Sequence, residues 1–168
     1  MKTFLKGWYL IYTRPRQEKK VHAELAEKKI ESFLPMRKVL RLWHDRRKYI
    51  DEPLFPSYVF VYLETLRSYY DGINLDGSLY YVRAGCKVAR VSEKVISNIR
   101  MITCRGQDIE VSDANWQPGR QLVISKGVLT GLACEVVRVD GKQKILVRVD
   151  LLRRSLLLSM PTENLMAI

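Results

Sequence analysis

Two groups of side chains stand out for the chemistry they could do. The first lies in DEPLFPSYVFVYL, residues 51–63. In an extended chain Tyr58, Phe60 and Tyr62 fall on one side of this segment, and Val59, Val61 and Leu63 on the other. Aromatic side chains offer large apolar contact at little entropic cost, which suits a partner surface. The second group is cationic. Arg14, Arg16, Lys19 and Lys20 crowd one short stretch, and Arg37, Lys38, Arg41, Arg46, Arg47 and Lys48 crowd another, around Trp43 and His44. Such clusters bind phosphates in a salt-dependent and mostly sequence-blind way. Trp43 or His44 could stack on an exposed base, a contact of about 1–3 kcal/mol. The bland alternatives stand beside these readings. The aromatics can pack against a helix or a connecting segment, and a lone cation can be a solvated surface residue.

Little else in the chain suggests chemistry. His22 and His44 have no Cys or carboxylate partner at metal or triad spacing. There is no glycine-rich phosphate loop, and Cys86, Cys104 and Cys134 are widely spaced, with no disulfide framework. The reading is therefore a non-enzyme without metal or cofactor, at home in a reducing cytoplasm. The N-terminal MKTFLKGWYLIYTRPR breaks at Gly7 and lacks a small-residue cleavage site, so it reads as a first strand.

The chain has 168 residues, room for one ordinary domain or two small ones, and carries a formal charge of +11. That charge is uneven. Residues 1–105 hold 21 Lys and Arg against 11 Asp and Glu, whereas residues 106–168 hold 8 against 7. The front of the chain attracts polyanions, of which nucleic acid is the natural candidate, and the back is nearly neutral.

These residues need elements to position them. GWYLIYT, 7–13, predicts a strand. Residues 15–30 predict a helix with Pro15 in its first turn and Val21, Leu25, Ala26 and Ile30 at helical spacing. Residues 32–53 predict a long hairpin with His44, Asp45, Arg46 and Arg47 at its tip, followed by a strand at 57–63. Residues 64–77 read as either a short helix or an irregular turn. A strand follows at 78–85, then a helix capped by Ser92 with Val95, Ile96, Ile99 and Ile102 on one face. The polar stretch 106–117 predicts a linker. Short oily runs then alternate with turns, among them Asp140-Gly141, a strong hairpin signal. The fold class expected is α+β: a ferredoxin-like α/β sandwich over 1–105, then a small SH3-like β-barrel over 118–168.

Together GWYLIYT, the basic helix after it, EPLFPSYVFV, YYVRAG and PGRQLVISKGVLTGLACEVV resemble the NusG family of transcription elongation factors, over essentially the whole chain from Gly7 to about Leu165. The front resembles the family's NGN domain and the tail its KOW domain. YTRPRQEKKV and RKVLRLWHDRRKYIDEPLFPSYVFV are most similar to the UpxY-type antiterminators of polysaccharide loci, with RfaH a more distant relative. One departure is Cys134, which stands where the family commonly has glycine.

The resemblance implies a monomeric antitermination factor specific to an operon, such as one for polysaccharide biosynthesis. It places Tyr12, Phe55, Tyr58, Phe60 and Tyr81 against the clamp helices of the largest RNA polymerase subunit, with Pro53 and Pro56 turning the chain to present Phe55. It brings the basic edge near upstream or non-template DNA, with Arg14, Gln17 and Lys20 at positions that read single-stranded DNA in RfaH-type paralogs. In the barrel, Val123, Ile124, Val128 and Leu129 are the expected surface for a small-subunit ribosomal protein or a termination factor. No membrane contact is implied. The rival reading is a ribosome- or RNA-associated KOW protein with no polymerase role.

Overall fold

The structure, a computed structural model, describes residues 4–105, 109–115, 117–125, 129–159 and 165–167. The fold is mixed α/β and divides into two compact units, residues 1–96 and 97–168.

The first unit is built on an antiparallel sheet of four strands: β1 (Gly7–Thr13), β2 (Ser32–Phe33), β5 (Tyr58–Leu63) and β6 (Ser78–Tyr81). Their spatial order is β2-β5-β1-β6. Strands β1 and β5 pair from Gly7↔Leu63 through Leu10↔Phe60 to Tyr12↔Tyr58. This register puts Tyr9, Ile11, Val59, Val61 and Leu63 on one face, where they form a core with Val21, Leu25 and Ile30. The opposite face carries Trp8, Leu10, Tyr12, Tyr58, Phe60 and Tyr62.

Helix α1 (Glu18–Glu27) is shorter than its sequence pattern suggests. Pro15 lies outside it, because Arg16 takes a left-handed φ of 63° and the first helical residue is Glu18. Its far end closes with Lys29 at φ 58°, where the Lys29 amide donates to Ala26 O and the Ile30 amide to Leu25 O. This is a Schellman closure with lysine in the position glycine usually fills, and Ile30 and Leu25 are both buried in the core below. Helix α2 (Leu66–Ile73) resolves the ambiguous segment: Thr65 and Ser68 form a reciprocal capping box at its start.

The hairpin β3 (Met36–Leu42) and β4 (Arg47–Pro53) forms a separate two-stranded sheet. The strand expected at 78–85 is broken into β6 and the short β7 (Arg83–Ala84), which pairs with β8 (Lys87–Val88). Helix α3 (Glu93–Arg105) begins at Ser92, whose hydroxyl accepts from the Val95 amide at 3.3 Å. Ile96, Ile99 and Ile102 are all buried.

The second unit holds an antiparallel sheet in the order β14-β10-β11-β12-β13-β9. Its strands are β9 (Ile109–Ser112), β10 (Arg120–Ile124), β11 (Ala133–Val139), β12 (Lys142–Val149), β13 (Arg154–Leu158) and β14 (Leu165–Ala167). Residues 109–112, inside the stretch expected to be a linker, thus pair with β13 as a strand. Asp140 and Gly141 both have positive φ and close the β11–β12 hairpin, as the Asp-Gly signal predicts. The leucine-rich segment after Val149 makes one 3-10 turn, Asp150–Leu152, then strand β13 with Leu156, Leu157 and Leu158 buried. Across this sheet Arg148 donates to both oxygens of Glu135 at 2.7 and 3.0 Å, and the Gly119 amide also donates to Glu135. Arg148 thereby holds the Glu135 carboxyl below its ordinary range.

Gly72 of α2 marks a close helix–sheet approach. A Cβ there would lie 2.5 Å from the Tyr81 hydroxyl, which is itself held by donation to Tyr69 O at 2.8 Å. Gly72→Ala is expected to destabilise the protein by about 1–3 kcal/mol through overpacking. Tyr81→Phe in the same chain should recover part of that loss, because it removes the clashing oxygen. Urea titration of the two single variants and the double variant measures both effects.

Candidate protein and nucleic-acid interfaces

The FPSY turn connects the hairpin to β5. The Tyr58 amide donates to Phe55 O at 3.2 Å, with Pro56 and Ser57 between them and Ser57 at φ 67°. Proline first and positive φ second is the pattern of a type II turn, in which glycine is usual at the second position. Serine is held there by its neighbours. Its amide donates to Glu18 Oε1 at 2.7 Å, and its carbonyl accepts from the Thr13 amide at 2.8 Å. Glu18 is only 5% exposed, so this carboxylate is buried at the start of α1 and ties that helix to the turn. Nothing in the sequence pattern marked Glu18 beyond its place in a first helical turn, where a carboxylate suits the helix dipole.

The turn aims Phe55 inward. Phe55 is buried and meets Phe60 edge-on, with ring centroids 6.3 Å apart, while Phe60 stacks on Phe33 of β2 at 6.0 Å. The resemblance sets Tyr12, Phe55, Tyr58, Phe60 and Tyr81 against one partner, but the five do not share an open face. Phe55 and Phe60 lie within the aromatic packing of that side, at 3% and 1% exposure. Tyr81 lies on the other face altogether. It pairs with Ile11 and packs in the helix-covered core, stacked on Tyr69 at 4.3 Å. Burial pushes its hydroxyl well above the usual tyrosine range.

The neighbour of Tyr81 takes its place. Tyr80 pairs with Tyr12, stacks on it at 5.0 Å, and is 53% exposed. Tyr12 in turn meets Tyr58 edge-on at 5.2 Å. The surface row therefore runs Tyr58–Tyr12–Tyr80 across three adjacent strands. The two-residue period of β6 carries the signal for Tyr80. Which member of the Tyr80-Tyr81 pair faces outward depends on register against β1, and that register shifts between Tyr12 and Thr13.

The cations occupy two places. Arg14, Arg16, Gln17, Lys19 and Lys20 surround the start of α1. Arg14 and Lys20 both form ion pairs with Asp76, in the α2–β6 connection, and Lys19 reaches Asp51 O at 3.3 Å. The hydrogen bond from Lys20 holds the Asp76 carboxyl below its usual range.

The hairpin carries the rest. Cross-strand register puts Arg37, Arg41, Lys48 and Glu52 on one face and Lys38, Leu40, Leu42, Arg47 and Tyr49 on the other. Glu52 accepts from Arg37 at 2.9 Å and from Arg41 at 3.0 Å; although burial raises its pKa, these two guanidiniums keep the carboxyl below its usual range. At the tip, Trp43 and Arg46 bond each other's backbones, and the Arg46 guanidinium lies over the indole, 5.4 Å from the ring centroid. Trp43 remains 53% exposed, and His44 beside it is exposed too. The structure thus collects Trp43, His44, Arg46, Arg47 and Lys48 at one projecting end. Arg14, Arg16, Gln17, Lys19 and Lys20 form a second group at the helix.

In the second unit, the described residues among the four expected to form a partner surface do not lie together on it. Ile124 and Leu129 are fully buried, and Val123, pointing to the opposite face of β10, is half-buried. Alternation along β10 separates Ile124 from Val123. Val128 lies outside the described residues. Cys134 sits in regular β11 opposite Leu122, and the positive φ in this region belongs to Gly131 instead. Burial raises its thiol to about 11. Among the described residues no cluster of His, Cys, Asp and Glu is arranged to hold a metal, and no helix is long and apolar enough to cross a membrane.

A sheet with helices on one face and tyrosines on the other, followed by an all-antiparallel second unit, defines a class that comparison with known proteins makes specific. The family model described as Transcription termination factor nusG matches residues 6–100, more than half of the chain. The chain belongs to the NusG family of transcription factors. A solved structure of Thermotoga maritima NusG, concerning its domain interaction, is similar at 18% identity over 98% of both chains, with a TM-score of 0.58, and so shares the fold. A structure of the MjSpt4:Spt5 complex matches at 14% identity over 96% of this chain and 97% of that one, with a TM-score of 0.35, too low to bear on the architecture.

Glu18 is expected to be the residue on which the tyrosine row depends structurally. Glu18→Ala leaves the Ser57 amide without its acceptor and should cost about 1–3 kcal/mol. Thermal unfolding followed by circular dichroism measures that cost. Loss of protection at the Ser57 amide in hydrogen exchange locates it.

Proposed function

We propose that this chain is an operon-specific elongation and antitermination factor of UpxY type. On this reading, residues 1–105 are a ferredoxin-like NGN domain that docks on the clamp helices of RNA polymerase. Residues 118–168 are an SH3-like KOW barrel, with Ile109–Ser112 of the connecting segment 106–117 annexed to it as an edge strand. The observation that carries the reading, within a chain of this family, is the row Tyr58–Tyr12–Tyr80 on the sheet face away from α1 and α2. Three tyrosines packed ring against ring are stiff, amphipathic and inexpensive to immobilise, which suits a protein interface. Phe55 and Phe60 pack farther along the same face, and Tyr81 anchors the sheet on its other side.

Docking favours transcription by holding the polymerase in its elongating state, to the extent that the factor binds that state more tightly than others. The projecting hairpin then reaches DNA. Its exposed tip unites an indole for base stacking with Arg46, Arg47 and Lys48 for phosphate. The barrel's ribosomal or termination-factor partner is part of the same proposal, with Val123 the half-buried residue of its expected surface.

Replacing Tyr12, Tyr58 and Tyr80 by alanine together is expected to weaken binding to a purified bacterial elongation complex at least tenfold, since tyrosine is enriched among the hot spots that each carry about 2 kcal/mol or more. Tyr81→Phe should bind as the parent does. Unchanged affinity of the folded triple variant would remove the patch from the proposal. Separately, Arg46→Glu with Arg47→Glu should reduce crosslinking to the exposed DNA strand of that complex. Crosslinking at parental strength would show that the hairpin is not the contact.

A further inference from the structure

Asp76 is placed with unusual care for an exposed acid. The residue after it, Gly77, has φ 102°, and a Cβ there would meet Gln17 Cβ at 3.1 Å and Val21 Cγ2 at 3.2 Å. The α2–β6 connection therefore lies directly against α1 at a point only glycine fits. Gly77 O also accepts from the Arg14 amide at 2.8 Å, tying the same connection to the end of β1. The backbone on Asp76's C-terminal side is thus fixed between the two cation-bearing segments.

The Asp76 carboxylate spans both. One oxygen faces Arg14 Nη1 at 3.6 Å, and the other bonds Lys20 Nζ. Lys20 has one further acid near it, Glu24, at 3.9 Å. All three partners are open to water, with side-chain exposures of 63% for Arg14, 45% for Lys20 and 67% for Asp76. An exposed pair of this kind contributes little to stability, so its geometry is better explained by what it does to the two cations. Arginine and lysine converging on a two-oxygen anion is the arrangement by which a phosphodiester is held.

We propose that Asp76 is an internal occupant of a phosphate site formed by Arg14 and Lys20, displaced when a nucleic-acid backbone binds. The inference rests on the proposed DNA-binding role of the first unit and extends it from the hairpin to the start of α1. Asp76 makes the edge selective: it blocks weak, indiscriminate polyanion binding and yields to a strand delivered at high local concentration, as it is once the factor is docked. The chemistry recognised is the phosphodiester, common to DNA and RNA.

The test compares the full chain with its Asp76→Asn variant, using fluorescence anisotropy with a labelled twelve-residue oligothymidylate and, in parallel, oligouridylate, over a series of salt concentrations. Asp76→Asn is expected to tighten binding at least threefold near 100 mM salt. It should also steepen the plot of log affinity against log salt by about 0.7, the change for one additional single-strand phosphate contact. Arg14→Ala with Lys20→Ala should weaken binding more in the Asn variant than in the parent. A gain with both oligonucleotides assigns the backbone alone, and a gain with one assigns that nucleic acid as the occupant. Unchanged or weaker binding by Asp76→Asn, with the parent binding measurably, overturns the proposal and leaves the nucleic-acid role standing. Absence of binding by both proteins overturns that role and this inference together. Asp76→Ala, which lacks a side-chain acceptor, repeats the comparison without the amide.

Discussion

The antiparallel pairing of β1 with β5 decides most of what the first unit can do. Once Tyr12 is opposite Tyr58 and Leu10 opposite Phe60, every side chain on both strands is assigned to a face. A slip of one residue would send Val59 and Val61 to the aromatic side and Tyr58 and Phe60 under the helices. The register is secured at one end by hydrogen bonds rather than by packing. The Thr13 amide bonds Ser57 O, the Ser57 amide bonds the buried Glu18 carboxylate, and Glu18 opens helix α1. A single acid thereby links the helix, the turn and the strand pair that carries the tyrosines.

The two sides of the sheet solve different problems. On the helical side, Val21, Leu25, Val59, Val61 and Leu63 make an aliphatic core, closed at its edge by Tyr81 and the close approach of Gly72. On the other, aromatic rings pack along the sheet itself: Phe33 on Phe60, Phe60 against Phe55, and Trp8 against Tyr62. The Tyr58–Tyr12–Tyr80 row lies at one end of this face. On this face Phe55 and Phe60 are buried whereas Tyr12, Tyr58, Tyr62 and Tyr80 reach water, which their hydroxyls suit. The charged groups show a comparable division. Arg37 and Arg41 share the one negative charge of Glu52, and Arg14 and Lys20 that of Asp76, so their charge is partly offset and a plain count of cations overstates the field that a polyanion meets at those places. The hairpin tip has its positive charge less offset: among the described residues no ion pair is formed by Arg46, Arg47 or Lys48.

Much of the architecture was legible in the chain. The strand at 7–13, the hairpin, the strand at 58–63, the Ser92-capped helix and the Asp140-Gly141 turn follow from period, capping and turn chemistry, which are local properties. Helix α1 is legible in its interior but not at its start. Pro15 is compatible with a first turn, but tertiary hydrogen bonds hold Thr13 and Arg14, and Arg16 turns left-handed before the helix begins. The segment 106–117 read as linker because it lacks periodicity, yet four of its residues complete a sheet whose partner strand is more than forty residues away. Pairing at that distance leaves no local trace.

The two faces of the central strand, the excess of positive charge in the front of the chain and most of the helices and strands follow from the chain alone. Alternation, composition and turn residues are written in neighbours along the chain. Which members of those sets reach water, and which oppose each other, is settled by tertiary packing. The β6 register exposed Tyr80 and buried Tyr81, and the inward turn at Pro56-Ser57 buried Phe55. The close fit of Gly77 against α1 brought Asp76 to Arg14 and Lys20 across more than fifty residues of chain. These outcomes depend on where distant segments meet, and the physical reason is the same in each. Burial and charge pairing are properties of a three-dimensional neighbourhood, whereas period and propensity belong to the chain.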